Sequence, residues 1–82
     1  MKYQYFTASW CSPCKAMKPF ILKYPEIIIV DVDTDDGAVE AGKYSVRGIP
    51  TLVVTDDTGK LIDQMVGGVP ESQLTKFMKK NK

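Results

Sequence analysis

The sequence predicts a single α/β domain over residues 1–82, ordered β-α-β-α-β-β-α, with a four-stranded mixed sheet flanked by helices. Three observations carry that expectation. An aromatic run at residues 3–7 stops just before Cys11-Ser12-Pro13-Cys14 and gives way to apolar residues at helical spacing. A β-branched run, Ile27-Ile28-Ile29-Val30-Asp31-Val32, follows Pro25. Two further strand-like runs then flank Asp56-Asp57-Thr58-Gly59, and an amphipathic segment closes the chain.

Tyr3, Tyr5, Phe6 and Thr7 suit a pleated, partly buried strand. Cys14, Met17, Ile21 and Tyr24 recur at the spacing of one helix face, so a helix begins around Cys11. Pro13 falls in its first turn, where a missing N–H costs nothing, and Pro19 lies inside it and removes one backbone bond. The β-branched run has no polar alternation, which predicts a central, parallel strand buried on both faces. Asp33-Thr34-Asp35-Asp36 offers N-cap candidates for a second helix over residues 35–44, weakened by Gly37 and Gly42 at about 1 kcal/mol each relative to alanine. Gly48-Ile49-Pro50 breaks the pattern before a strand at 51–55, and residues 60–66 form its hairpin partner. Gly67-Gly68 ends that strand. Pro70-Glu71 opens a last helix to about Lys80, with Leu74, Phe77 and Met78 on its buried face.

Composition removes several function classes. A net charge of +1, with 44% hydrophobic and 26% charged residues, gives no polyanion-binding surface, so no nucleic-acid partner is expected. The longest apolar run, Ile27 to Val30, is far below the ~18 residues of a membrane span, so no membrane association is expected either. The N-terminus reads straight into strand sequence with no secretory signal, which points to the cytoplasm; a monomer is expected. In a reducing compartment a CxxC pair is more often catalytic than structural. Two cysteines without histidine cannot complete a four-ligand zinc site within one chain, so no metal is expected.

The spacing of Cys11 and Cys14 argues for a dithiol switch. A disulfide closing so short a loop restrains the unfolded chain by only roughly 2 kcal/mol, so a structural staple would sit elsewhere. Cys11 at a helix N-terminus meets unpaired N–H groups and the positive end of the dipole, both of which favour a thiolate. Two inert buried thiols are the bland alternative.

These residues carry a family likeness: the chain resembles a thioredoxin. Trp10-Cys11-Ser12-Pro13-Cys14-Lys15 is similar to that family's active-site motif, with Ser12 where glycine is usual. Pro19 matches its kink proline, residues 43–51 resemble the segment carrying its cis-proline, and Val66-Gly67-Gly68 resembles its glycine turn. The likeness spans about residues 3 to 80. It departs in three places. The family's first strand and helix have no counterpart, leaving a minimal thioredoxin fold; Tyr5 stands where a buried aspartate is usual, and Ile29 where a buried lysine is usual. The aspartate–lysine proton relay is therefore missing, and water or Tyr5 is left to carry the proton.

The resemblance implies a protein-disulfide reductase. Cys11 is the nucleophile and Cys14 the resolving cysteine, the two forming a redox-active Cys11–Cys14 disulfide. Trp10, Ser12, Pro13, Ile49, a cis-Pro50, Gly67 and Gly68 make the substrate-binding surface. Thioredoxins themselves supply the reference thiol pKa of ~7 for such motifs, and lowering a thiol from ~8.5 to ~7 raises the thiolate fraction at neutral pH from about 3% to about 50%. Lower nucleophilicity returns roughly fivefold of that gain, so the stabilised thiolate helps most as a leaving group. No cofactor is bound; electrons come from NADPH through a thioredoxin-reductase-like flavoenzyme, and disulfide-containing proteins are the substrates. Gly67-Gly68-Val69-Pro70-Glu71 also resembles a glutathione-holding segment of glutaredoxins, which makes a glutathione-dependent oxidoreductase the first alternative. A non-catalytic binding subunit on the same surface is the second.

Overall fold

The computed structural model describes residues 1–81. Among them the chain forms β1 (Lys2–Thr7), α1 (Ser12–Ile21), β2 (Ile27–Asp31), α2 (Asp35–Lys43), β3 (Thr51–Thr55), β4 (Leu61–Val66) and α3 (Glu71–Lys80), the expected order. The sheet runs β2-β1-β3-β4. β1 is parallel to β2 and antiparallel to β3, and β3 is antiparallel to β4, so the sheet is mixed as the sequence predicts.

Two strands occupy the centre. Tyr3, Gln4, Tyr5 and Phe6 of β1 and all five residues of β3 are buried, because each strand is covered on both faces. On one face Met17 and Ile21 of α1 and Leu74, Phe77 and Met78 of α3 pack on Tyr3, Tyr5, Leu52, Val54 and Met65. On the other, Ala41 of α2 packs with Phe6 and Val53. Burial of each large apolar side chain here contributes roughly 1.5–3 kcal/mol. The Tyr3 hydroxyl donates to the Asn81 carbonyl at 2.7 Å, tying the end of α3 to β1.

β2 departs from expectation. It is the outer strand of the sheet, not a central one, and Ile28 and Ile29 are 47% and 40% exposed. An unbroken β-branched run reports which residues avoid water but not which strand lies beside them. Here β3 takes the other side of β1, and among the described residues no strand lies beyond β2.

Local chemistry fixes the ends of α2. The Thr34 hydroxyl accepts from the Gly37 N–H at 3.0 Å and donates to the Asp31 carbonyl at 2.8 Å, capping the helix and pinning it to the end of β2. Gly37 is required there, since a Cβ would run into the Asp31 carbonyl. The helix ends at Lys43 with Tyr44 as its C-cap, one residue short of the expected end.

Candidate active site

Cys11 is the N-cap of α1 rather than its first residue, and its Sγ accepts from the Cys14 N–H at 3.2 Å. The Cys11 N–H donates to the Ala8 carbonyl at 3.2 Å, which sets the turn between β1 and α1. Pro13, in the first turn, leaves the Cys14 N–H as the donor aimed at sulfur. That donor and the helix N-terminus stabilise negative charge on Cys11 sulfur. Cys11 and Cys14 are joined as a disulfide with their Cα atoms 5.3 Å apart, and both are buried among Ala8, Val32 and Ile49.

A second element walls the pair. The Ile49–Pro50 peptide bond is cis, as the resemblance implies. The Pro50 carbonyl accepts from the Gly67 N–H at 2.8 Å, and the Thr51 hydroxyl donates to the Gly48 carbonyl at 2.6 Å. The end of β4 thereby holds the start of β3 in place. Gly67 has a φ of +94°, a conformation that favours glycine. Gly68 has a reason of its own: a Cβ there would sit 3.1 Å from the Pro13 Cβ, so its bare backbone packs against the first turn of α1. The two glycines thus join the CxxC helix to the Pro50 segment from the other side.

Trp10 is 66% exposed, so it is not a packed core residue, and its indole N–H donates to Asp33 Oδ1 at 3.2 Å. The indole borders a groove of about 340 Å3 shared with Val32, Val46, Arg47 and Ile49. Asp33 is a contact that local sequence does not reveal: it lies 23 positions away and comes near only because β1 and β2 end side by side. Ser12 and Pro13 are exposed beside the disulfide.

Behind Cys14, β1 carries Tyr5 in place of the family's usual aspartate, as the sequence predicts. Its hydroxyl donates to the Cys14 carbonyl at 3.1 Å rather than to sulfur. Burial pushes the phenol up to about 12. A group held neutral that far above physiological pH, with its proton on a carbonyl, is no base for the Cys14 thiol. A cleft of about 320 Å3 reaches Cys14 alongside it, bordered by Lys15, Lys18, Ile29 and Asp31. The cleft has room for water where thioredoxins carry their buried aspartate–lysine pair.

Comparison with known proteins agrees with this geometry. The Thioredoxin family model matches residues 4–80. The chain belongs to the thioredoxin family. It is similar to the thioredoxin of Chlorobaculum thiosulfatiphilum, at 37% identity over 76 residues, covering 87% of this chain and 69% of that one. Among solved structures it resembles a mutant thioredoxin from Halobacterium salinarum, with a TM-score of 0.81 and 31% identity over 95% of this chain and 71% of that one. It also resembles a Plasmodium falciparum thioredoxin, with a TM-score of 0.84 and 27% identity over 99% of this chain and 85% of that one. Family membership, the fold and the redox-active Cys11–Cys14 disulfide support a thiol-disulfide oxidoreductase. Among the described residues no helix is long and apolar enough to cross a membrane.

Proposed function

We propose that the chain reduces disulfides in other proteins through the Cys11/Cys14 dithiol and is recharged by a thioredoxin-reductase-like flavoenzyme that draws on NADPH. The observation that carries this reading is the Cys11–Cys14 disulfide with the Cys14 N–H aimed at Cys11 sulfur. Cys11 as thiolate attacks one sulfur of the target disulfide; a mixed disulfide forms and a target thiolate leaves. Cys14 then gives its proton to water in the cleft beside Tyr5 and attacks Cys11 sulfur. The Cys11–target bond breaks, and the target leaves with both sulfurs reduced while the Cys11–Cys14 disulfide re-forms. Two electrons have passed to the target, and NADPH restores them through the reductase.

Ser12 and Pro13, the groove at Trp10 and the backbone at Ile49, Pro50, Gly67 and Gly68 form the docking surface. An extended target segment beside Ile49 adds main-chain hydrogen bonds in the manner of a supplementary strand. The setting is the cytoplasm, where such a dithiol is kept reduced.

Glutathione fits less well. The Glu71 carboxylate, the acidic residue of the glutaredoxin-like segment, is engaged by Lys23 Nζ at 2.6 Å. Gly68 is packed on Pro13. Turnover of a protein disulfide with purified thioredoxin reductase and NADPH, set against turnover with glutathione, tests the choice. Activity with the reductase is expected; activity with glutathione alone overturns the proposal.

A further inference from the structure

We infer that Arg47 selects the disulfides this chain reduces, by pairing with an acidic side chain carried on the target about two residues from the cysteine that Cys11 attacks. The inference rests on the function proposed above and adds its substrate class: disulfides with an aspartate or glutamate close by. The groove beside the disulfide carries it. Trp10, Val32, Ala41, Val46 and Ile49 line that groove with apolar surface, and among the described residues Arg47 is the one charged group on its wall. Ile49 also packs against Cys11 and Cys14, so the groove begins at the disulfide. Arg47 is exposed, and among the described residues its guanidinium forms no ion pair. The backbone is held on either side of it. The Val46 N–H donates to the Ala41 carbonyl at 2.8 Å, and the Gly48 carbonyl accepts from the Thr51 hydroxyl at 2.6 Å. Residues 46–50 have no regular secondary structure, yet the base of the Arg47 side chain is fixed.

The neighbouring charges leave this cation free to act. Asp33 lies at the Trp10 end of the groove, where its carboxylate accepts from the indole N–H, and it is not within ion-pair distance of Arg47. Glu40, on the helix that contributes Ala41, accepts from the Gln4 amide of β1. Lys43, in the last turn of α2, sits over the Tyr44 ring and has the same sign as Arg47. The other flank of the disulfide differs. Where Gly68 packs on Pro13, the surface is lined by Ala16, Met17, Phe20 and Val69 and by no charged residue. Discrimination by charge is therefore confined to the Ile49 side.

The spacing follows from strand geometry. Arg47 stands two positions before Ile49, and an extended segment rises ~3.3 Å per residue with alternate side chains on one face. A target laid beside Ile49 with its cysteine at Cys11 brings the residue about two positions away level with Arg47. The planar guanidinium meets a carboxylate there through paired N–H donors. A lysine at the same place meets like charge.

Competition between charged target peptides tests the inference. The full chain, reduced and with no reductase present, is mixed with end-blocked alanine–serine peptides dimerised through a single cysteine. Each carries one glutamate or one lysine, placed two residues before or two residues after that cysteine. A turnover converts the peptide disulfide to two thiols and the Cys11/Cys14 dithiol to its disulfide, two electrons passing to the peptide. Every rate is divided by that with dithiothreitol, which removes the effect of the peptide's own charge on its sulfur. Glutamate is expected to outrun lysine about fivefold at one of the two placements, and the difference to fade at about 0.5 M salt. Arg47→Glu is expected to reverse the preference and Arg47→Gln to abolish it. Equal rates for the glutamate and lysine peptides at both placements overturn the inference and leave the redox function standing. A preference that survives in Arg47→Gln does the same. Reduction of none of the peptides overturns the redox function itself, and the inference with it. Should Arg47→Glu misfold, Arg47→Gln, which keeps a polar side chain without the charge, decides the matter.

Discussion

Replacing Tyr5 by phenylalanine separates two roles that the phenol could have. The hydroxyl is buried and donates to the Cys14 carbonyl at 3.1 Å, so its loss at neutral pH removes one buried hydrogen bond. That costs about 1 kcal/mol. The pH dependence carries more information. Burial raises the phenol from 10.0 to about 12 in the folded chain. Below pH 10 the group is neutral in both the folded and unfolded chain and its contribution is fully present. Between pH 10 and 12 the unfolded chain releases the proton while the folded chain keeps it, so stability falls as pH rises. Two pH units at ~1.36 kcal/mol each amount to roughly 2.7 kcal/mol lost by the wild type and not by Tyr5→Phe. Urea unfolding of both oxidised proteins, followed by far-ultraviolet circular dichroism from pH 7 to 12, should show the wild type more stable at pH 7. The variant should be the more stable by about 1–2 kcal/mol at the alkaline limit. Parallel stability curves would refute the burial argument. In the proposed cycle cleft water takes the Cys14 proton, so the same variant should keep the wild-type rate–pH profile of disulfide reduction between pH 6 and 9.

The glycines give further tests. Gly37→Ala should destabilise by about 2–3 kcal/mol in urea, since its Cβ meets the Asp31 carbonyl. Gly42→Ala, in the same helix with nothing within 4 Å, should stabilise by about 0.5–1 kcal/mol. Equal effects at the two positions would contradict the account of α2 docking. Gly68→Ala, whose Cβ would lie 3.1 Å from that of Pro13, should lower stability by about 1 kcal/mol by pushing the glycine turn away from α1. An unchanged thermal midpoint would show that the turn yields freely.

Much of this architecture was legible from residue patterns. The stripe of Cys14, Met17 and Ile21 located α1, the apolar residues of α3 located its buried face, and the Asp56–Gly59 turn joined the final hairpin. The place of β2 was not legible. Its apolar run is equally consistent with a covered centre or a bare edge, and only the pairing of β1 with β3 decides between them. The glycines of α2 looked alike in a propensity scale, yet Gly37 abuts a carbonyl and Gly42 faces open space. At the site, the motif located the sulfurs and the cis-proline. The Trp10–Asp33 contact and the direction of the Tyr5 hydroxyl depend on how strand ends and a helix meet in space.

The central claim is that Cys11 attacks and Cys14 resolves. Cys14→Ser, incubated with a disulfide-containing protein and run on non-reducing gels, tests it most directly. The account predicts a stable mixed disulfide mapped by peptide mass to Cys11, and none from Cys11→Ser. An adduct formed by Cys11→Ser through Cys14, with none from Cys14→Ser, would contradict it.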